Sequence, residues 1–244
     1  MMRLCLEFNV KIPEIILEYR RIIVSYIKET LSIAHGAKYF KDYYCDTKKK
    51  PFTFTVLFSN PKFTKDSVRF DNNNFKVYFS ICDEKMAGLI MCNSFLKMKN
   101  RKFSLANDNY MWLTNVKKLN EHLFTDDRAV FKTIGGSPVI VREHDRKTNK
   151  DKYYTCEEID YNDKLQEKIR YQFLTEGYSN DEVDKIIVNS VSGKKVVVKS
   201  YGIYMDGVNG IFDISAPSEI LQKIYTEGLS SKRSMGFGFV DVVR

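Results

Sequence analysis

The sequence predicts an α+β protein of two tandem ferredoxin-like (RRM-like) βαββαβ units, residues 1–122 and 123–244. Two observations carry this. Strand-type and helix-type hydrophobic periods in the first half follow the order β-α-β-β-α-β. The second half repeats that order and closes on a helix, a Gly-rich basic loop and a final strand.

The elements follow in turn. Residues 1–10 alternate, with Leu4, Leu6, Phe8 and Val10 on one face, the mark of a half-buried strand. Pro13 opens a helical pattern that runs through Ile15, Tyr19, Ile22, Ile23, Tyr26 and Ile27 to Leu31. Arg20, Arg21 and Lys28 lie off that apolar stripe. Residues 35–50 are aromatic and basic without a period and read as a loop. Residues 51–58 and 75–81 read as strands joined by the turn chemistry of 71–74, followed by a helix over 86–98 and a strand over 110–119. In the second half, 129–134 and 138–142 read as strands, 143–151 as a polar hairpin tip and 161–176 as a helix. Residues 183–191, 195–200 and 201–215 supply strands around turns at Gly193 and Asp206-Gly207. A helix over 217–226 and a strand over 237–243 end the chain.

The formal charge of +8 points to a polyanion or an acidic surface as partner. Lys is interleaved with Tyr and Phe, the combination that neutralises phosphates and stacks bases. The five cysteines are odd in number, scattered and without a Cys-x-x-Cys pair. They suggest neither a zinc site nor a disulfide framework, and they fit a reducing cytoplasm. No metal-ligand pattern and no cofactor motif is visible. No apolar run reaches the ~18 residues that a membrane span requires.

The densest cluster of ligand-type groups is the terminal loop from Gly228 to Val240. Gly236 and Gly238 permit positive φ and close backbone approach, and Ser230, Ser231, Ser234, Lys232 and Arg233 are all donors to phosphate oxygens. The spacing is neither the Walker nor the dinucleotide pattern. Arg20, Arg21, Lys28, Arg142, Lys48 and Lys49 are further candidate phosphate contacts. His144 sits in a charged hairpin and reads as solvated or RNA-contacting, and His122 has no local partner pattern.

Several segments taken together resemble the CRISPR-associated repeat-RNA endoribonucleases of the RAMP superfamily. They are Leu4-x-Leu6-x-Phe8 with Tyr19-Arg20-Arg21, Lys50-Pro51-Phe52-Thr53-Phe54, Ser137-Pro138-Val139-Ile140-Val141-Arg142, and the terminal Gly228…Gly236-Phe237-Gly238 loop. The resemblance implies metal-independent cleavage of precursor CRISPR RNA within its repeats. The ribose 2′-OH attacks the adjacent phosphate and leaves 2′,3′-cyclic phosphate and 5′-OH ends. A family rival is a non-cleaving subunit that binds repeat RNA inside a CRISPR effector complex. The implied partners are repeat RNA and other effector subunits, with a homodimer left open and no membrane.

Such chemistry needs a base for the 2′-OH, an acid for the leaving 5′-oxygen and a cation for the phosphorane. The resemblance places a catalytic His after the first helix and upstream of the Lys-x-Phe-Thr strand, where His35 lies. Counting back from Pro51-Phe52-Thr53 by the shortest family spacing reaches Tyr44 instead, and the work then rests on Tyr44 with Lys50.

Overall fold

The computed structural model describes residues 1–33, 40, 44, 50–82 and 86–243. The chain divides into two compact units, Met1–Glu121 and His122–Arg244, each a ferredoxin-like fold.

The first unit runs β1 (Met2–Val10), β2 (Glu14–Ile16), α1 (Tyr19–Ile33), β3 (Phe52–Phe58), β4 (Lys62–Phe63), β5 (Ser67–Arg69), β6 (Asn74–Ile81), α2 (Ala87–Lys97), β7 (Lys102–Ser104) and β8 (Tyr110–Lys118). Its main sheet has the order β3-β6-β1-β8-β7, with β1 antiparallel to both β6 and β8. The alternation of β1 buries Leu4, Leu6, Phe8 and Val10 with Ile23, Tyr26, Ile27 and Leu31 of α1. The Phe8 ring meets Tyr26 edge-on at 5.1 Å, and Phe79 meets Phe95 of α2 at 5.3 Å. Each such side chain contributes about 1.5–3 kcal/mol by burial.

The expected helix from Pro13 is corrected, because α1 begins only at Tyr19. Residues 14–16 instead pair with Ser67–Arg69 in a small sheet of order β2-β5-β4. The Asn109 side chain holds them extended. Its Nδ2 donates to the carbonyls of Ile12 and Glu14 at 3.0 and 2.8 Å, and its Oδ1 accepts from Ile12 N–H at 3.0 Å. Backbone groups satisfied in this way are withdrawn from a helical ladder.

The second unit runs β9 (Arg128–Thr133), β10 (Val141–Asp145), β11 (Lys150–Tyr154), α3 (Tyr161–Thr175), α4 (Asn180–Val183), β12 (Ile187–Ser200), β13 (Ile203–Ser215), α5 (Ser218–Glu227), a 3-10 turn (Arg233–Met235) and β14 (Val240–Val242). The sheet order β12-β13-β9-β14 repeats the arrangement of the first unit, with the β10–β11 hairpin inserted ahead of α3. Phe131, Phe212 and Ile214 of the sheet are buried, as are Leu165, Ile169 and Phe173 of α3 and Ile220, Leu221 and Ile224 of α5.

The turns expected at Gly193 and Asp206-Gly207 are also corrected. The strands β12 and β13 form one long hairpin whose turn is Tyr201-Gly202, with φ of 52° and 76°. Two successive positive φ values suit the right-handed twist of the flanking strands. The glycines inside the ladder serve close approach. Gly193 lies opposite Gly210, and a Cβ on Gly207 would come within 2.6 Å of Ile140 Cδ1. The last strand is shorter than residues 237–243, because Gly238 takes φ 65° and gives its N–H to the Pro138 carbonyl at 2.9 Å.

Candidate functional site

Three residues expected to serve catalysis or RNA contact meet in the first unit. Lys28 lies on the exposed side of α1, and Lys50 stands two residues before the first residue of β3. Their Nζ atoms lie 5.1 and 5.0 Å from the centroid of the Tyr44 ring. Phe40 stacks on the same ring at 5.5 Å. A cation on an aromatic face gains about 0.5–2 kcal/mol, more as water is removed. Two ammonium groups on one ring also repel each other. Burial first, and Lys28 second, hold the Lys50 ammonium below the usual lysine range. The result is a concentrated positive charge beside a phenol. His35, Lys48 and Lys49 lie outside the described residues.

The flanking arginines have different surroundings. Arg21 is exposed and paired with Glu18 at 2.9 Å. Arg20 is buried, with its guanidinium 4.7 Å from the Tyr19 ring centroid. Burial pushes its pKa down, against the opposing effect of Tyr19. An off-stripe position on the helical wheel does not put Arg20 on the surface.

The terminal loop is a folded structure in its own right. Gly228, Ser230, Lys232, Gly236 and Gly238 all have positive φ. Its N–H groups are largely consumed internally. Leu229 N–H donates to Gly238 O at 2.8 Å, Ser231 N–H to Ile140 O at 3.1 Å and Gly236 N–H to Arg233 O at 3.0 Å. Ser230 Oγ donates to Ile140 O at 2.7 Å, and Ser137 Oγ donates to Gly236 O at 3.1 Å. A Cβ on Gly238 would run into the Leu229 backbone, so this glycine serves approach of the chain to itself.

The two adjacent cations of the loop part company. Arg233 turns inward and its Nη1 meets Glu227 Oε2 at 3.3 Å, with side-chain exposures of 7% and 4%. Burial pushes the guanidinium down to about 10. The charge that the sequence offers to phosphates at Arg233 lies inside the unit, against Glu227. Ser230, Gly236 and Gly238 are buried as well, while Ser231, Lys232 and Ser234 are partly exposed. Lys232 remains beside Arg142, and its ammonium is held below the usual range by burial and by the Arg142 charge.

Arg142 belongs to a cluster that sequence reasoning missed. The register of β10 and β11 sets Arg142 opposite Tyr153 and His144 opposite Asp151. The Asp151 carboxylate accepts from Arg142 Nη1 at 3.1 Å and from the Tyr153 hydroxyl at 3.2 Å, and it meets His144 Nδ1 at 2.8 Å. Burial alone would raise this carboxyl, but the bonds from His144 and Arg142 outweigh it and hold it below the usual range. The signal is present as Arg142-x-His144 and Asp151-x-Tyr153, two alternating pairs on one hairpin. The polar run between them conceals it, because a run of that composition reads as a hairpin tip rather than as paired strands.

No group of three or more His, Cys, Asp or Glu side chains among the described residues could hold a metal ion. Among the same residues no helix is long and apolar enough to cross a membrane.

Comparisons with known proteins bear on both units. The product of a Cas6-related gene from Pyrococcus furiosus superposes with a TM-score of 0.81 at 18% identity, covering 100% of this chain and 98% of its own. An RAMP protein binding different RNA substrates gives 0.80 at 17% identity over 100% of both chains. A Cas6 product complex gives 0.69 at 13% identity over 99% of each. At such identities the likeness shows the fold. No curated protein matches the sequence. Residues 117–242 match the family model "CRISPR associated protein Cas6, C-terminal". That match spans more than half of the chain, which therefore belongs to the Cas6 family of CRISPR-associated proteins.

Proposed function

We propose that this chain cuts precursor CRISPR RNA within its repeats, without a metal, by attack of the ribose 2′-OH on the neighbouring phosphate. The 2′-oxygen–phosphorus bond forms and the phosphorus–5′-oxygen bond breaks. A base takes the 2′-OH proton and an acid returns one to the 5′-oxygen. Ends of 2′,3′-cyclic phosphate and 5′-OH result. The observation that carries this reading is the placing of Lys28 and Lys50 on the ring of Tyr44. Two cations there suit a phosphorane. Lys50, with its lowered proton affinity, and Tyr44 supply groups that pass protons, and His35 is the third candidate. Exposed Arg21 and partly exposed Ser231, Lys232 and Ser234 are assigned to the RNA backbone. The reaction belongs in the cytoplasm.

The test is single-turnover cleavage of repeat RNA in EDTA, with the product ends mapped, for the wild type, His35→Ala, Tyr44→Phe and Lys50→Ala. Loss of an acid–base group typically costs about 10²–10⁴-fold in rate and spares binding. The expected result is chelator-resistant cleavage, slowed at least tenfold by one or more of the three changes. Activity that needs added magnesium would count against the chemistry. A wild type that binds repeat RNA and never cuts it would make the chain a non-catalytic RNA-binding subunit of a CRISPR effector complex.

A further inference from the structure

We infer that Arg142, His144 and Lys232, organised around Asp151 and Tyr153, form a phosphodiester-binding subsite for RNA on the second unit. The inference rests on the reading that the chain binds RNA, and it adds a site and a role for a carboxylate within it.

The geometry is that of a template. Cross-strand and diagonal neighbours on one face of an antiparallel hairpin interact directly. Here that face carries Arg142, His144, Asp151 and Tyr153, and three of them converge on the fourth. The opposite face is occupied separately. Glu143 accepts from the Tyr154 hydroxyl at 2.6 Å, and Lys152 lies 4.1 Å from the Tyr154 ring centroid. The terminal loop closes on the first face. Tyr153 and Met235 both pack against the cluster of Ile140, Met205 and Phe237. Ser230 and Ser231 both bond to the carbonyl of Ile140, two residues before Arg142. Lys232 is thereby brought to the same face.

The donors held this way are not exhausted. Arg142 spends one guanidinium nitrogen on Asp151, and its fork has five N–H groups. His144 spends Nδ1, and its Nε2 has no protein partner among the described residues. The Lys232 ammonium forms no hydrogen bond or ion pair among the described residues. With Arg142 and Lys232 against Asp151, the face carries excess positive charge even when His144 is neutral. A bidentate-capable guanidinium, an imidazole and an ammonium fixed around one point match the oxygens of a backbone phosphate. Asp151 costs some attraction, and in return it locks two long side chains in advance of binding, which lowers the entropy lost when RNA arrives.

That trade gives a test with opposite signs. If only net charge mattered, removing Asp151 would tighten binding. The subsite predicts the reverse. Affinity of labelled single-stranded repeat RNA is measured against salt for the wild type, Arg142→Ala, His144→Ala, Lys232→Ala, Asp151→Ala and Asp151→Asn, with thermal unfolding of each as a check on folding. The expected result is several-fold weaker binding for Arg142→Ala and Lys232→Ala, each with a salt slope shallower by about 0.7 for every phosphate no longer neutralised. His144→Ala is also expected to bind less tightly. Both Asp151 variants weaken binding despite the removal of a negative charge. Equal or tighter binding by Asp151→Ala and Asp151→Asn overturns the template. Unchanged affinity and slope in all five variants, with a wild type that binds RNA, overturns the subsite alone. A wild type that binds no RNA overturns the functional reading with it.

Discussion

Replacing Arg233 with Ala should destabilise the second unit rather than remove a charge from the RNA-facing surface. Its guanidinium meets Glu227 at 3.3 Å, and the two side chains are 7% and 4% exposed. A carbonyl, Gly228 O, lies 3.4 Å from the same nitrogen. Removing one partner of a pair this deeply placed leaves the other charge buried, at a cost of about 3–5 kcal/mol. For a unit of this size that corresponds to a fall in melting temperature of roughly 10–20 °C. Glu227→Ala should cost a similar amount, since it strands the guanidinium instead. The double change Arg233→Met/Glu227→Leu should recover most of the loss, because an apolar pair of similar volume avoids the desolvation of two ions. The assay is thermal unfolding followed by circular dichroism near pH 7. It is paired with the salt dependence of RNA affinity below the melting range, where the slope for Arg233→Ala should match the wild type. An unmoved melting temperature with a shallower salt slope would refute the argument and return Arg233 to the RNA.

Two further outcomes follow from the same structure. Gly238→Ala should destabilise the terminal loop by about 2 kcal/mol or more, combining a left-handed φ of 65° with loss of the bond from Leu229 N–H to its carbonyl. A melting temperature equal to wild type would contradict that. Lys28→Ala removes the second cause of the lowered Lys50 pKa, so Lys50 should stay protonated to higher pH. If cleavage uses that ammonium, its rate falls as pH rises through the Lys50 pKa, and the alkaline limb of the rate profile should shift upward in the variant. A limb that stays in place would separate Lys28 from the chemistry.

The two units keep their cations in different company. On the first, Lys28 and Lys50 share an aromatic ring, and among the described residues no carboxylate pairs with either. On the second, Arg142 and His144 are held by Asp151. Burial and the neighbouring Lys28 charge lower the Lys50 proton affinity in the first, and Asp151 pairs with its cations in the second.

Residues whose neighbours are local were legible from the sequence. The alternation of Leu4, Leu6, Phe8 and Val10 identified β1, and the three-and-four spacing from Tyr19 to Leu31 identified most of α1, because each pattern reflects which side of a local element faces the core. The repeat of helix and strand order was enough for two ferredoxin-like units. Tertiary structure decided wherever the partner lay far along the chain. Residues 14–16 are a strand because Ser67–Arg69 and Asn109 hold them, and no helical period can see either. Gly193 and Gly207 lie within strands because the side chains of Cys156 and Ile140 need the room, whereas the turn falls at Tyr201-Gly202. Lys232 and Arg233 are neighbours in sequence with the same charge, yet only one is buried against Glu227, since a φ of 59° at Lys232 redirects the chain between them. His144 and Asp151 became a pair only when strand register set them face to face. Composition and period determine which elements form. Long-range pairing and backbone handedness determine where each charged group ends up, and so what it can bind.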